Sequence, residues 1–241
     1  MTSAELTVVQ SAVLGRVPSL KLRAGARILD APCGGTAGLS LALRSQGFDA
    51  VGADIDLVAA ARLGNSFKNV NLDSPMPWPD ESFDAVISTE GIEHLENHFS
   101  FLREVHRILK PGGILVLTTP NITALRSRVR FFGSGFFGRD ARPLNETARH
   151  PLHHIGLATF PELRYELHVS GFRLDAVRHT HTKPVSYLYA IYAPWMWLYA
   201  IIAFRKEKDP AQRARNKEIR AALHSRSLLF GECLMLIARK I

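Results

Sequence analysis

From residue 26 onward, short apolar runs alternate with stretches in which apolar side chains recur every three or four positions, the spacings of strand and helix respectively. Residues 27–30 read as a strand that ends on an acid, 39–46 as a helix, 48–53 as a second strand running into Asp54, and 57–63 as a helix that Asp56 caps. Val70 and Leu72 predict a brief third strand. Past the Pro-rich loop at 75–79, residues 83–88 predict a fourth strand, 99–109 a helix stopped by Lys110-Pro-Gly-Gly113, and 114–118 a fifth strand. Residues 2–14 predict an amphipathic first helix, Pro161 opens a later one that Gly171 closes, and 172–177 and 234–238 predict strands six and seven. Repeated alternation of this kind predicts an α/β fold, a parallel sheet covered by helices on both faces.

Two stretches interrupt the alternation. Residues 121–150 are rich in Arg, Phe and Gly and have no clear period. Residues 184–204 hold no charged residue but four of the five Tyr and two of the three Trp. That length suffices to span a bilayer. Pro194 in the middle, aromatics at the centre and a needed strand beyond argue instead for two short helices hinged at Pro194. They predict a lid, a dimer face, or an interfacial contact with a membrane. A polar helix at 210–224 completes this insertion between strands six and seven.

Composition alters the picture at one point. The 241 residues are 46% hydrophobic and 22% charged, which excludes a disordered or fibrous chain, and carry a net charge of +8. Residues 121–150 contribute +4 and 205–226 contribute +5, leaving the rest at −1. The basicity therefore flanks the aromatic stretch and points to an anionic acceptor or a membrane surface. Cys33 and Cys233 stand 200 positions apart without metal-spaced neighbours, so neither a disulfide framework nor a zinc module is expected. Residues 1–10 lack the pattern of a signal peptide, which predicts a cytoplasmic location.

The chemistry gathers after the strands. The small residues between Ile28 and Gly38 join a strand to a helix N-terminus, where backbone N–H groups face a crevice, and Asp54 follows at the end of the next strand. A carboxylate there meets ribose hydroxyls in a Rossmann-like unit. Pro32 and Thr36 occupy places where a dinucleotide loop carries Gly, so an adenosine ligand fits better than a pyrophosphate. Glu90, Glu93 and His94 follow the fourth strand; in a helical turn they would share one face.

Five segments in this order resemble the class I S-adenosylmethionine-dependent methyltransferases of small-molecule type. They are Arg27-Ile-Leu-Asp-Ala-Pro-Cys-Gly34, Val51-Gly-Ala-Asp-Ile55, Pro75-Met-Pro-Trp-Pro-Asp-Glu-Ser-Phe-Asp84, Glu90-Gly-Ile-Glu-His-Leu95 and Leu102-Arg-Glu-Val-His-Arg-Ile-Leu-Lys-Pro-Gly-Gly113. The resemblance implies one methyltransferase domain over residues 1–241. Its parts are an N-terminal helix within 1–20, an acceptor-side segment at 121–158 and a helical insertion at 183–228. It implies a seven-stranded sheet, mostly parallel with an antiparallel last strand. It further implies that Asp30 and the backbone of Ala31, Pro32, Cys33, Gly34 and Gly35 hold the methionine part of S-adenosylmethionine. Asp54 would hold the ribose, Ile55, Asn71 and Leu72 the adenine, and Thr89 would touch the cofactor near its sulfonium.

Some ubiquinone-pathway O-methyltransferases and small-RNA 2′-O-methyltransferases are similar at Glu-x-x-Glu-His, where they use Mg²⁺. By that resemblance Glu90, Glu93, His94 and the downstream His154 are the candidate Mg²⁺ ligands; without a metal, Glu90, His94 and His154 are the catalytic candidates, with a His as base. Through Thr119-Pro-Asn-Ile122, the Arg/Phe-rich stretch, Leu163-Arg-Tyr-Glu166 and Arg205-Lys-Glu-Lys-Asp-Pro210 the chain is also similar to bacterial methyltransferases associated with cell-surface glycan synthesis; the aromatic insertion with its flanking Arg predicts a small-molecule or lipid-linked glycan acceptor and membrane contact through 184–226. Two rivals remain, an RNA 2′-O-methyltransferase and a non-catalytic cofactor-binding membrane protein. Nucleic acid is disfavoured because an apolar run divides the basic segments.

Overall fold

The computed structural model describes residues 6–137, 143–147, 150 and 152–241. Seven strands form one sheet: β1 Arg27–Asp30, β2 Asp49–Asp54, β3 Phe67–Asn69, β4 Phe83–Thr89, β5 Leu109–Pro120, β6 Phe172–His179 and β7 Cys233–Lys240. Their order is β3-β2-β1-β4-β5-β7-β6. The first five are mutually parallel, and β7 runs antiparallel to both β5 and β6. This is the α/β, Rossmann-like architecture expected, with the last strand reversed. Because successive strand residues face opposite sides, Leu29, Val86 and Leu115 enter one core with Phe101 and Phe160. Ile28, Ile87 and Val116 enter the other with Leu39 and Leu43.

Helices α1 Val8–Leu14 and α2 Gly38–Ser45 supply the second core, while α4 His98–Ile108 and α6 Phe160–Val169 supply the first. Thr7 and Gln10 close a capping box on α1, and Asp56 accepts from Val58 N–H ahead of α3 Ala60–Leu63, as expected of Asp56. The third strand differs from expectation. Phe67–Asn69 pairs with Gly52–Asp54, whereas Val70 and Leu72 lie beyond it with buried side chains. Val70 N–H still donates to Asp54 O at 2.9 Å, and the strand ends there, one residue short of Asn71. A second difference is α5 Leu125–Ser134, inside the segment without a period; it buries only Leu125 and Ser127, too few to print one.

The insertion begins as a 3-10 segment, Pro184–Tyr192, and continues directly as α7 Ala193–Phe204; the helix type changes between Tyr192 and Ala193, and Pro194 lies in the first turn of α7. Helices α8 Pro210–Leu223 and α9 Arg226–Phe230 return it to β7. Its two ends are tied together where Thr182 pairs with Gly231. Asn121, just past β5, fastens the return: its amide donates to the carbonyls of Ser227, Leu228 and Gly231 at 2.9–3.2 Å.

Candidate active site

At the carboxyl edge of β1 the chain turns through a cis Ala31–Pro32 peptide and Gly34 at φ +65° before entering α2. The loop is held from β2: Cys33 N–H donates to Ala53 O at 2.9 Å, and Gly34 N–H donates to Asp54 Oδ2 at 2.8 Å. The other Asp54 oxygen accepts from Asp56 N–H at 3.0 Å. Gly52 is required beneath this loop, because a Cβ there would collide with Leu63 and lie 3.1 Å from Cys33 Sγ. Asp54 thus sits at the crevice with its carboxylate fixed by backbone donors, 8% exposed.

Asp30 lies deeper. Its side chain is wholly buried, Oδ2 accepts from Ser40 Oγ at 2.7 Å, and Oδ1 has no protein partner. Burial pushes its carboxyl up to about 7, chiefly through lost hydration. This unpartnered acceptor is enclosed beneath the loop, away from the crevice surface. Burial also raises the Cys33 thiol, so this cysteine packs rather than reacts.

Ile55 is exposed at the rim and Leu72 is buried nearby, whereas Asn71 stands in a turn where its Oδ1 accepts from Asp73 N–H. Placing Asn71 on the third strand is therefore corrected. The residue that ends that strand, Asn69, donates its amide to Asp54 O at 3.1 Å and Ile55 O at 2.8 Å, shaping the same rim. Sequence reasoning misses it; a polar residue two positions before the expected place is its only signal. Asp73 accepts from Glu96 and Asn97 N–H groups and braces the next turn.

β4 ends at Thr89, 8% exposed and paired with Thr118 of β5. Glu90 takes φ +50° with its N–H on Thr118, and a Cβ on Gly91 would run into the Pro32 ring, so this turn closes onto the cofactor loop. A 3-10 turn, Ile92–His94, follows. Glu90 precedes that turn in a left-handed conformation, so the shared helical face expected of Glu90, Glu93 and His94 does not form. The Glu90 carboxylate instead accepts from Cys233 Sγ at 3.6 Å.

The other three converge. Glu93, His94 and His154 each offer a ligand atom within 4.8 Å of the others, and the two imidazole rings meet edge to face at 4.8 Å. His94 Nδ1 lies 3.1 Å from His153 O. Glu93 is fully buried, and lost hydration pushes its carboxyl up to about 7. The four-ligand set is thereby reduced to three. Two imidazoles and one carboxyl suit a transition ion; Mg²⁺ favours oxygen donors.

Comparison with known proteins bears on the family and the fold. Residues 10–177 match a family described as methyltransferase domain. A probable S-adenosylmethionine-dependent methyltransferase of Mycolicibacterium smegmatis is 31% identical over 158 residues, covering 63% of this chain and 54% of that protein. A ubiquinone biosynthesis O-methyltransferase of Xanthomonas oryzae pv. oryzae is 34% identical over 125 residues, 48% of this chain and 52% of its own length. The chain thus spans about half the length of these curated relatives. In fold it resembles the crystal structure of a SAM-dependent methyltransferase from Archaeoglobus fulgidus, with a TM-score of 0.56 and 17% identity over 96% of this chain and 94% of that one. With the family match covering well over half of its length, the chain belongs to the methyltransferase domain family.

Proposed function

We propose that this protein transfers a methyl group from S-adenosylmethionine to a hydroxyl of a small-molecule acceptor, a lipid-linked glycan being the class that its aromatic and basic insertion fits. The cofactor supplies a methyl already activated by its sulfonium, so the chain's task is alignment and proton removal. Asp54 and the Gly34 loop fit the ribose and methionine ends, with the buried Asp30 carboxyl supporting that loop from beneath. Ile55 and Leu72 line the adenine side, and Thr89 borders the transfer point.

One observation carries the hydroxyl reading: the 3.1 Å contact of His94 Nδ1 with His153 O. An Nδ1–H donated to that carbonyl leaves Nε2 as the acceptor for a hydroxyl proton, the tautomer a general base needs. The convergence of Glu93, His94 and His154 favours a second reading, a divalent ion that lowers the hydroxyl pKa. The test is incubation with methyl-labelled S-adenosylmethionine and fractionated lipid, glycan and RNA extracts. We expect label in the lipid or glycan fraction, about 100-fold less with His94→Ala, and no change after exhaustive chelation. Label in RNA, or no label anywhere, would sink the proposal; loss on chelation with recovery on adding a metal would select the second reading.

A further inference from the structure

We infer that the outer face of residues 184–204, with the basic cavity at the end of α7, is a docking surface for an anionic lipid bilayer. This goes beyond the methyl-transfer reading and does not depend on it. Leu188, Ile191, Trp195 and Tyr199 are 68–78% exposed and recur at helical spacing, and Phe132 of the adjoining α5 is 94% exposed. No residue of α7 is buried. By length and composition alone Pro184–Phe204 is apolar enough to cross a membrane, yet its inner side is tied to the protein. Lys183 pairs with Glu232 at 2.8 Å, Arg226 donates to Tyr187 Oη at 2.7 Å, and Arg128 lies 3.3 Å from Met196 Sδ. Spanning would break these ties. Lying in the interface keeps them and places Trp and Tyr at headgroup depth.

The charge beside this face lacks local compensation. A cavity of about 480 Å³ between the ends of α7 and α8 is lined by Arg205, Arg213, Lys217 and Arg220. Of the segment's three acids, Glu218 pairs with Arg164 at 2.6 Å, Asp209 caps α8, and Glu207 accepts from Lys208 and Asp209 N–H groups while its carbonyl accepts from Arg213 Nε, so the segment keeps its net charge of +5. Four cations around a cavity at the foot of an exposed aromatic helix match lipid phosphates above acyl chains. A second copy fits less well, since packing this face on itself would bring two segments of +5 together.

The decisive measurement is co-sedimentation of the full chain with vesicles of phosphatidylcholine alone and with about 30 mol% phosphatidylglycerol, at physiological salt. Binding to the mixed vesicles is expected, at least about 10-fold tighter than to the neutral ones. The double substitution Arg213→Gln, Lys217→Gln is expected to weaken it about 30-fold, from about 1 kcal/mol per charge. Ile191→Ser with Trp195→Ser should weaken binding to both vesicle types at least about 10-fold. Both variants should keep the thermal midpoint and the calorimetric affinity for S-adenosylmethionine. No sedimentation with either vesicle, equal binding by the charge variant, or a dimer in the ultracentrifuge that the Ile191/Trp195 variant dissolves would overturn the inference. Vesicle binding without methyl transfer to any extract would uphold the surface and refute the activity.

Discussion

Asp30→Asn tests whether the buried carboxyl beneath the cofactor loop is held against its own ionisation. The substitution preserves shape and a partner for Ser40 while removing a group that must lose its hydration to ionise. In the unfolded chain Asp30 titrates near 3.8, and in the fold near 7. Because the folded value is raised, the folded state binds the proton more tightly. Stability is therefore greatest at acid pH and falls as pH rises through the window from about 4 to 7. Carried across that window at about 1.4 kcal/mol per pH unit, the cost reaches roughly 4 kcal/mol. Asn carries no such cost. Urea unfolding followed by circular dichroism at pH 5, 6, 7 and 8, without cofactor, should show the variant ahead of wild type by only about 1.5 kcal/mol at pH 5. Its advantage should grow to several kcal/mol at pH 8. Glu93, raised to about 7 as well, adds a similar slope to both proteins, so their difference isolates Asp30. Parallel curves, or a variant no more stable than wild type at pH 8, would refute the reasoning.

Asp54→Ala removes the acceptor of two backbone N–H groups and the carboxylate assigned to the ribose; calorimetry should find S-adenosylmethionine bound about 100-fold more weakly, from roughly 1.5–3 kcal/mol per charged hydrogen bond, and wild-type affinity would count against the site. Gly91→Ala should lower stability by about 1–3 kcal/mol in chemical unfolding, because its Cβ meets the Pro32 ring and lies 3.1 Å from Ser88 Oγ. Asn121→Leu leaves three carbonyls without their donor, and a thermal melt should show a loss of about 2–4 kcal/mol. Glu104 is held below the ordinary carboxyl range by Arg107, with which it pairs at 2.8 Å. That support is complete above about 4.5 and is lost as pH falls through the folded value. Arg107→Ala should therefore flatten the acid limb of the stability curve.

Much of this was legible along the chain where local chemistry repeats. β1, β2 and β4 read directly because their residues are buried on both sides and end on Asp30, Asp54 and Thr89, which the sheet then carries to one edge. Asp56 and Pro161 mark helix starts by rules that need no tertiary partner. The failures share a cause. Val70 and Leu72 look like the middle of a strand because they are buried, but the strand is Phe67–Asn69 and only Val70 N–H still reaches β2, since where pairing starts and stops is not written in side-chain polarity. α5 is invisible because it packs along its rim and leaves Phe131 and Phe132 exposed. In the site, the contact between His94 and the carbonyl of His153 joins residues 59 positions apart, and the left-handed turn at Glu90 redirects a carboxylate that spacing alone puts beside Glu93. Such placements arise from packing.

The pairing of Thr182 with Gly231 has a consequence for how this chain can change. The insertion leaves and re-enters the sheet at one point, already fixed by β6 and β7, so its length adds only about 0.6 kcal/mol of closure cost per doubling. Residues 188–217 can be exchanged, shortened or lengthened while the sheet edge assembled from β1, β2 and β4 stays as it is, provided that Ile219, Leu223 and Leu228 remain in the core and Asn121 keeps its carbonyl partners. The chain is in that sense a fixed sheet edge joined to a replaceable cassette, the part to which we assign the acceptor. Transplanting that cassette between relatives is the simplest way to ask which half chooses the acceptor.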